Sequence, residues 1–142
     1  MNFTNPSDEE IFGYLRKAKR IAVGGLSNNP ERTSYLVAKE LQKAGYEIVP
    51  VNPILAGQEI LGEKVFSSLT QITEHVDIVD IFRRSEFLPE LAKEFLQIDA
   101  DVFWAQKGIM NEEALAILSA ASCEKIVMDR CTKVELMRLG GR

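Results

Sequence analysis

Histidine is nearly absent from this chain, cysteine is scarce and positive charge is not in excess, and each shortage removes a class of function. His75 is the single histidine, and Cys123 and Cys131 are the two cysteines. Neither a Cys/His zinc site nor a disulfide framework can be assembled from so few. Lys and Arg total 17 against 21 Asp and Glu, a formal charge of −4, so the basic field that nucleic-acid phosphates or an anionic membrane require is missing. No apolar run approaches the roughly 18 to 20 residues of a membrane span, and the opening MNFTNPSDEE lacks the basic and apolar segments of a signal peptide. A cytoplasmic protein with no nucleic-acid or membrane partner is expected. Two motifs are missing as well. Without G-x-G-x-x-G or the lysine loop G-x-x-x-x-G-K-[ST], the ordinary NAD and NTPase readings lose their signature.

What is present has the size and apolar content of one compact domain over residues 1–142, with 46% hydrophobic and 27% charged residues. Two periods of hydrophobicity alternate along it, without internal repeats. Ser7-Asp8-Glu9-Glu10 is a capping-box pattern ahead of Ile11, Leu15 and Ala18, which predicts a short helix over 7–18. RIAVG at 20–24 suits a strand buried on both faces. Val37, Leu41 and Ala44 share a helical face and Gly45 suits a C-cap, giving a helix over 34–44 before the strand EIVPV. From Asn52 to Ser68 the pattern is broken by Pro53, Gly57 and Gly62, and only KVFSS suggests a strand. DIVDIF at 77–82 is a strand, and Ser85 is a candidate cap for a helix carrying Leu88, Leu91, Ala92 and Phe95. DVFWAQ follows as a strand, then Asn111 caps a helix with Ala114, Ile117, Leu118 and Ala121 inward, and KIVMD at 125–129 closes the series. Such alternation predicts βαβ units and a parallel sheet.

Ligands of parallel sheets bind beyond the carboxyl ends of the strands, where strand order reverses. With RIAVG beside DIVDIF, the loops after Val23 and Phe82 would face each other across that crevice. The first of them, GGLSNNPERTSY at 24–35, offers Gly24 and Gly25 for close backbone approach, Ser27, Thr33 and Ser34 as hydroxyl donors, and Arg32 as a charged fork. From these residues alone two readings stay open: a phosphate cradle, or a loop that only turns a strand into a helix. The second strand ends in Val51-Asn52-Pro53, where an NAD site carries an acid for the ribose hydroxyls.

AVGGLSNNPERTSYLVAKELQKAGYEIVPVNP, then GEKVFSSL, DIVDIFRRSEFLPEL, VFWAQKGIMNEEA and VMDRCTKVE, together resemble the small stand-alone CoA-binding proteins, relatives of the CoA-binding domain of the succinyl-CoA synthetase alpha subunit. The resemblance covers residues 20–136. It implies a Rossmann-like three-layer α/β fold, with a mostly parallel five- to six-stranded sheet and helices on both faces, holding coenzyme A or acyl-CoA. By the family pattern, Gly24, Gly25, Leu26 and Ser27, with Arg32 and Ser34, would meet the pyrophosphate. Val51, Asn52 and Pro53 would sit near the adenosine, Phe82 and Arg83 would line the crevice, and Gln106 and Gly108 would lie toward the pantetheine.

Other side chains carry paired alternatives. Arg83 and Arg84 either bind a phosphate or pair with Asp80, Glu86 or Asp129, and Arg130 is a similar but weaker candidate. Trp104 reads as core rather than as a stacking platform. Tyr35 either packs or touches ligand. Cys131, with Arg130 and Lys133 nearby, is either a reactive thiol or an inert one, whereas Cys123 reads as structural. His75 precedes a strand and so belongs at the amino end of the sheet, away from the crevice, and no acidic pair or Ser/His/Asp set is available there. The ranking that follows is a non-catalytic CoA or acyl-CoA binding or regulatory module, then a CoA-presenting subunit of a larger acyl-CoA ligase, then an NAD(P)-dependent oxidoreductase. The expected partner is a small nucleotide ligand, together with a homodimer mate or a second protein.

Overall fold

The computed structural model describes residues 3–141. Met1, Asn2 and Arg142, the outermost positions of the expected 1–142 unit, lie outside the described residues. Helix α1 (Asp8–Lys17) is capped by the Ser7 side chain, which accepts the Glu10 N–H, and it buries Ile11 and Leu15. Strand β1 (Arg20–Gly24) leads through the glycine loop to α2 (Thr33–Lys43) and then β2 (Glu47–Val51). A small antiparallel hairpin, β3 (Glu59–Ile60) with β4 (Glu63–Lys64), comes next. It is followed by β5 (Val76–Ile81), α3 (Leu88–Phe95), β6 (Ala100–Ala105), α4 (Glu112–Ala120), β7 (Ile126–Val127) and α5 (Thr132–Leu139).

The main sheet runs β2-β1-β5-β6-β7, and its pairs are parallel. Side chains alternate across it. Ile21, Val23, Ile48, Ile78, Val102 and Trp104 pack with α1, α2 and α5, while Ala22, Val49, Val79, Ile81, Phe103 and Ala105 pack with α3 and α4. Covering both faces explains why the strands read as nearly unbroken apolar runs. This is the Rossmann-like, three-layer arrangement. Beyond β2, Phe66 adds a single parallel bridge to Val51. It stands where a third strand would complete the 3-2-1-4-5-6 order of the doubly wound fold.

Three local expectations are corrected. KVFSS is not a strand of its own, because Lys64 ends a hairpin and Phe66 bridges the sheet at one residue only. Ser85 does not cap α3. It starts a 3-10 turn, and its Oγ accepts the Met110 N–H at 3.0 Å, tying this loop to the one after β6. The last strand shrinks from KIVMD to Ile126–Val127, since Asp129 takes a left-handed φ of 60°. Helix α5, which pattern reasoning did not foresee, follows directly.

Candidate functional site

Strand order reverses between β1 and β5: the chain leaves β1 for β2 on one side, then crosses to β5 on the other. The two loops that start there do not splay fully apart. Gly25 has φ +81°, and a Cβ added to it would lie 2.3 Å from the Phe82 carbonyl oxygen. Only glycine permits that approach. The Gly25 N–H bonds to Val51 O at 2.8 Å and the Phe82 N–H to Gly24 O at 2.8 Å, so sheet-like pairing continues into the lip of the crevice.

The remainder of the glycine loop is braced from within. Ser34, 7% exposed, accepts the Ser27 N–H on its Oγ at 3.0 Å. Ser27 Oγ in turn accepts the Asn29 N–H, and Asn29 Oδ1 accepts the Glu31 N–H. Asn52 Nδ2 donates to Leu26 O at 3.0 Å while its Oδ1 takes the Ile54 N–H. Leu26 and Val51 are buried, at 0% and 4% exposure, so they reach a ligand only through backbone atoms. Pro53 is exposed. Thus Ser34 and Asn52 shape the loop, and the Ser27 N–H is already engaged.

What the loop leaves open is the start of α2. Arg32 is its N-cap residue and no side chain caps it, so the first-turn amides from Thr33 onward face outward unsatisfied. An anion there gains from both the N–H groups and the helix dipole. The Arg32 guanidinium is exposed and makes no ion pair or hydrogen bond among the described residues. Across the crevice, Arg83 lies over the Phe87 ring at 4.3 Å, which leaves its N–H edges free. Arg84 pairs with Glu86 at 3.3 Å and Lys107 lies 3.9 Å from Asp129. Neither arginine meets Asp80 as the sequence reading allowed, because Asp80 is fully buried and bonded to Gln106 and Thr132.

A cleft of about 620 Å³ opens from this point across the ends of β5 and β6. Thr33, Phe82, Arg83, Gln106, Gly108, Ile109 and Cys131 are among the residues that line it. The structure therefore gathers Phe82, Arg83, Gln106 and Gly108 on one cleft, with the Gly24–Ser27 loop and Arg32 at one end and Val51, Asn52 and Pro53 behind that loop. Gly108, at φ +83°, gives its N–H to Asp129 Oδ1 at 2.7 Å. Cys131 sits at the N-cap of α5, again without a side-chain cap. Arg130 is drawn away toward Glu135 at 3.5 Å. Trp104 is wholly buried, its Nε1–H bonded to Arg130 O at 2.8 Å, and Tyr35 packs against the core.

Two residues that sequence reasoning did not assign to the site stand beneath the cleft. Asp80 and Thr132 are each 0% exposed. Burial pushes the Asp80 carboxyl up to about 7, against the lowering effect of the Gln106 and Thr132 hydrogen bonds. The signal was in the sequence: an acid between Val79 and Ile81, in a strand covered on both faces, needs a polar partner. His75 lies at the opposite, amino end of the sheet, its Nδ1 2.9 Å from Asp99 and its Nε2 3.1 Å from Asp101. No helix among the described residues is long and apolar enough to cross a membrane.

Comparison with known proteins places this architecture. A family model for a CoA binding domain matches residues 19–137. The uncharacterized protein YneT of Bacillus subtilis (strain 168) is 54% identical over 130 residues, 92% of this chain and 94% of its own. The alpha subunit of an ADP-forming acetate–CoA ligase I from Pyrococcus furiosus is 38% identical over 85 residues, which is 56% of this chain but only 18% of that subunit. Among solved structures, a hypothetical protein from Pyrococcus horikoshii OT3 superposes with a TM-score of 0.88 at 34% identity, covering 99% of this chain and 100% of that one. A Thermus thermophilus protein gives 0.84 at 37% identity, over 94% and 99%. With a family match across nearly the whole sequence and near-complete superposition on small proteins of the same shape, this chain belongs to the CoA-binding domain family.

Proposed function

We propose that the chain binds coenzyme A or acyl-CoA as a non-catalytic binding or regulatory module. The observation that carries this reading is the uncapped first turn of α2 beside the Gly24-Gly25 turn, with Arg32, unpaired among the described residues, on one side and Arg83 on the other. Amides, a helix dipole and two guanidinium groups converge there on what suits a diphosphate. The cleft leading away over Phe82, Gln106 and Gly108, about 620 Å³ with polar and apolar residues in its lining, suits a thiol-bearing arm. Asn52, in place of the ribose-binding acid of NAD sites, is committed to Leu26, which disfavours the oxidoreductase reading. Titration calorimetry with CoA, acetyl-CoA and NADH tests it. Binding of CoA or its thioester with NADH silent is expected, and heat from NADH alone would reverse the assignment.

A second reading is favoured by the likeness to the ligase alpha subunit: the chain presents CoA to a separate polypeptide that carries the chemistry. Co-purification with a larger protein that confers acyl-CoA synthesis supports it. A free chain whose melting temperature rises with CoA alone supports the module.

A further inference from the structure

Beneath the cleft, three side chains from separate segments form a closed hydrogen-bond network: Asp80 from β5, Gln106 just past β6, and Thr132 opening α5. Gln106 is 3% exposed and the other two are fully buried. Gln106 Nε2 donates to Asp80 Oδ1 and, at 2.9 Å, to Thr132 Oγ1, while the Thr132 hydroxyl donates to Asp80 Oδ2 at 2.8 Å. Above about pH 7, where Asp80 is ionised, its carboxylate can only accept, and that turns the Nε2 end of the amide toward it. Both Nε2 protons are therefore spent on the floor of the site. The other end of the amide, Oε1, has no partner among the described residues, and Gln106 lines the cleft. A nine-tenths buried side chain thus presents one unsatisfied acceptor to the place where the ligand arm would run.

We propose that Asp80 is a positioning residue that locks the Gln106 amide with its oxygen toward the cleft, so that the site selects a ligand group that donates a hydrogen bond there, namely an amide N–H of the CoA arm. This rests on the CoA reading above. A thioester or amide carbonyl facing Oε1 would meet acceptor with acceptor, so the network sets which edge of the arm lies inward. Covering Oε1 with a ligand group that brings no donor carries a desolvation cost of the size that discriminates ligands tenfold or more.

The test is calorimetry at about pH 8, above the value of about 7 to which burial raises Asp80, with CoA and with ADP, which has adenine and a diphosphate but no arm. Wild-type protein is expected to prefer CoA. Gln106→Met and Asp80→Asn, each checked for a cooperative melt, are expected to weaken CoA by about tenfold and to leave ADP unchanged, while Thr132→Ser, which keeps the hydroxyl, stays near wild type. Independently of any folding defect, wild-type protein should lose about tenfold toward a CoA analogue in which one of the two arm amide N–H groups is replaced by an ester oxygen. Equal affinity for both single-ester analogues and CoA overturns the proposal. So does a CoA-to-ADP ratio that survives Gln106→Met or Asp80→Asn, or falls only because both ligands weaken together. Wild-type protein that binds neither CoA nor ADP fails the parent reading and takes this one with it.

Discussion

At the scale of single residues, two glycines make opposite predictions. Gly25 holds φ +81° with the Phe82 carbonyl oxygen 2.3 Å from where a Cβ would sit, so Gly25→Ala combines left-handed strain with a backbone clash. Loss of more than about 1 kcal/mol of stability is expected, together with loss of ligand binding, read by urea unfolding and calorimetry. Gly13 lies inside α1 with nothing within 4 Å of an added Cβ. Gly13→Ala should therefore stabilise by about 0.5–1 kcal/mol, and a destabilised protein would refute that. The contrast marks what sequence conveys at this scale. Gly24-Gly25 stand out because a glycine pair after a buried strand marks a sharp turn, and Gly25 does need glycine for its approach to Phe82. The roles of Ser34, Asn52 and Asp80 were not, since each is decided by a partner distant in space or turned inward: Ser27, Leu26 and Gln106.

At the scale of elements, α2 carries the functional argument through its first turn. Thr33 is the first residue of that helix, no side chain caps its amides, and Arg32 before it is already extended at φ −77°, ψ 145°. Proline is well tolerated at such a position, and its predecessor must be extended. Thr33→Pro should thus change stability by less than about 0.5 kcal/mol yet weaken CoA binding by about tenfold, because it deletes one phosphate-facing amide. Unfolding and binding titrations on the same sample separate the two. Full affinity in a folded Thr33→Pro protein would remove the α2 terminus from the site. Elements differ in legibility for a physical reason. Helix α3 announces itself through Leu88, Leu91, Ala92 and Phe95, all buried. Helix α5 buries Thr132, Glu135 and Leu136, so its inward face is mostly polar and shows no apolar period. Glu135 is held there by Arg138 at 2.5 Å and Arg130 at 3.5 Å, pairs that only the folded chain reveals.

At the scale of the whole molecule, acidic and basic groups differ between the two ends of the sheet. Asp77, Asp99 and Asp101 surround His75 at the amino end, while Arg83, Arg84 and Lys107 line the cleft at the carboxyl end, the last two beside Glu86 and Asp129, and Arg32 precedes the lining residue Thr33. A net charge of −4 therefore does not oppose an anionic ligand locally. The titration of the fold follows from the same layout. Asp80, raised by burial to about 7 from its ordinary 3.8, binds a proton in the folded state that the unfolded chain releases. Its contribution to stability is full below pH 3.8, declines as pH rises toward 7, and is then constant. A shift of that size corresponds to at most about 4 kcal/mol. The Asp99 hydrogen bond holds His75 above its ordinary value, adding a smaller, solvent-screened contribution that is likewise present at low pH and lost as pH rises through the folded-state pKa. Asp77 acts in the other sense. Burial alone would raise it, but the N–H groups of Arg20 and Lys19 and the neighbouring His75 outweigh that and lower it, so its contribution holds above its ordinary range and disappears on acidification. Stability should accordingly peak near about pH 4, where the Asp77 contribution is complete and the Asp80 contribution is not yet declining, and fall toward about pH 8. Urea midpoints across that interval test the ordering. Asp80→Asn, neutral throughout, should flatten most of the decline, and His75→Gln only its upper part. Parallel curves for wild type and Asp80→Asn would show that the carboxylate beneath the cleft does not titrate with folding.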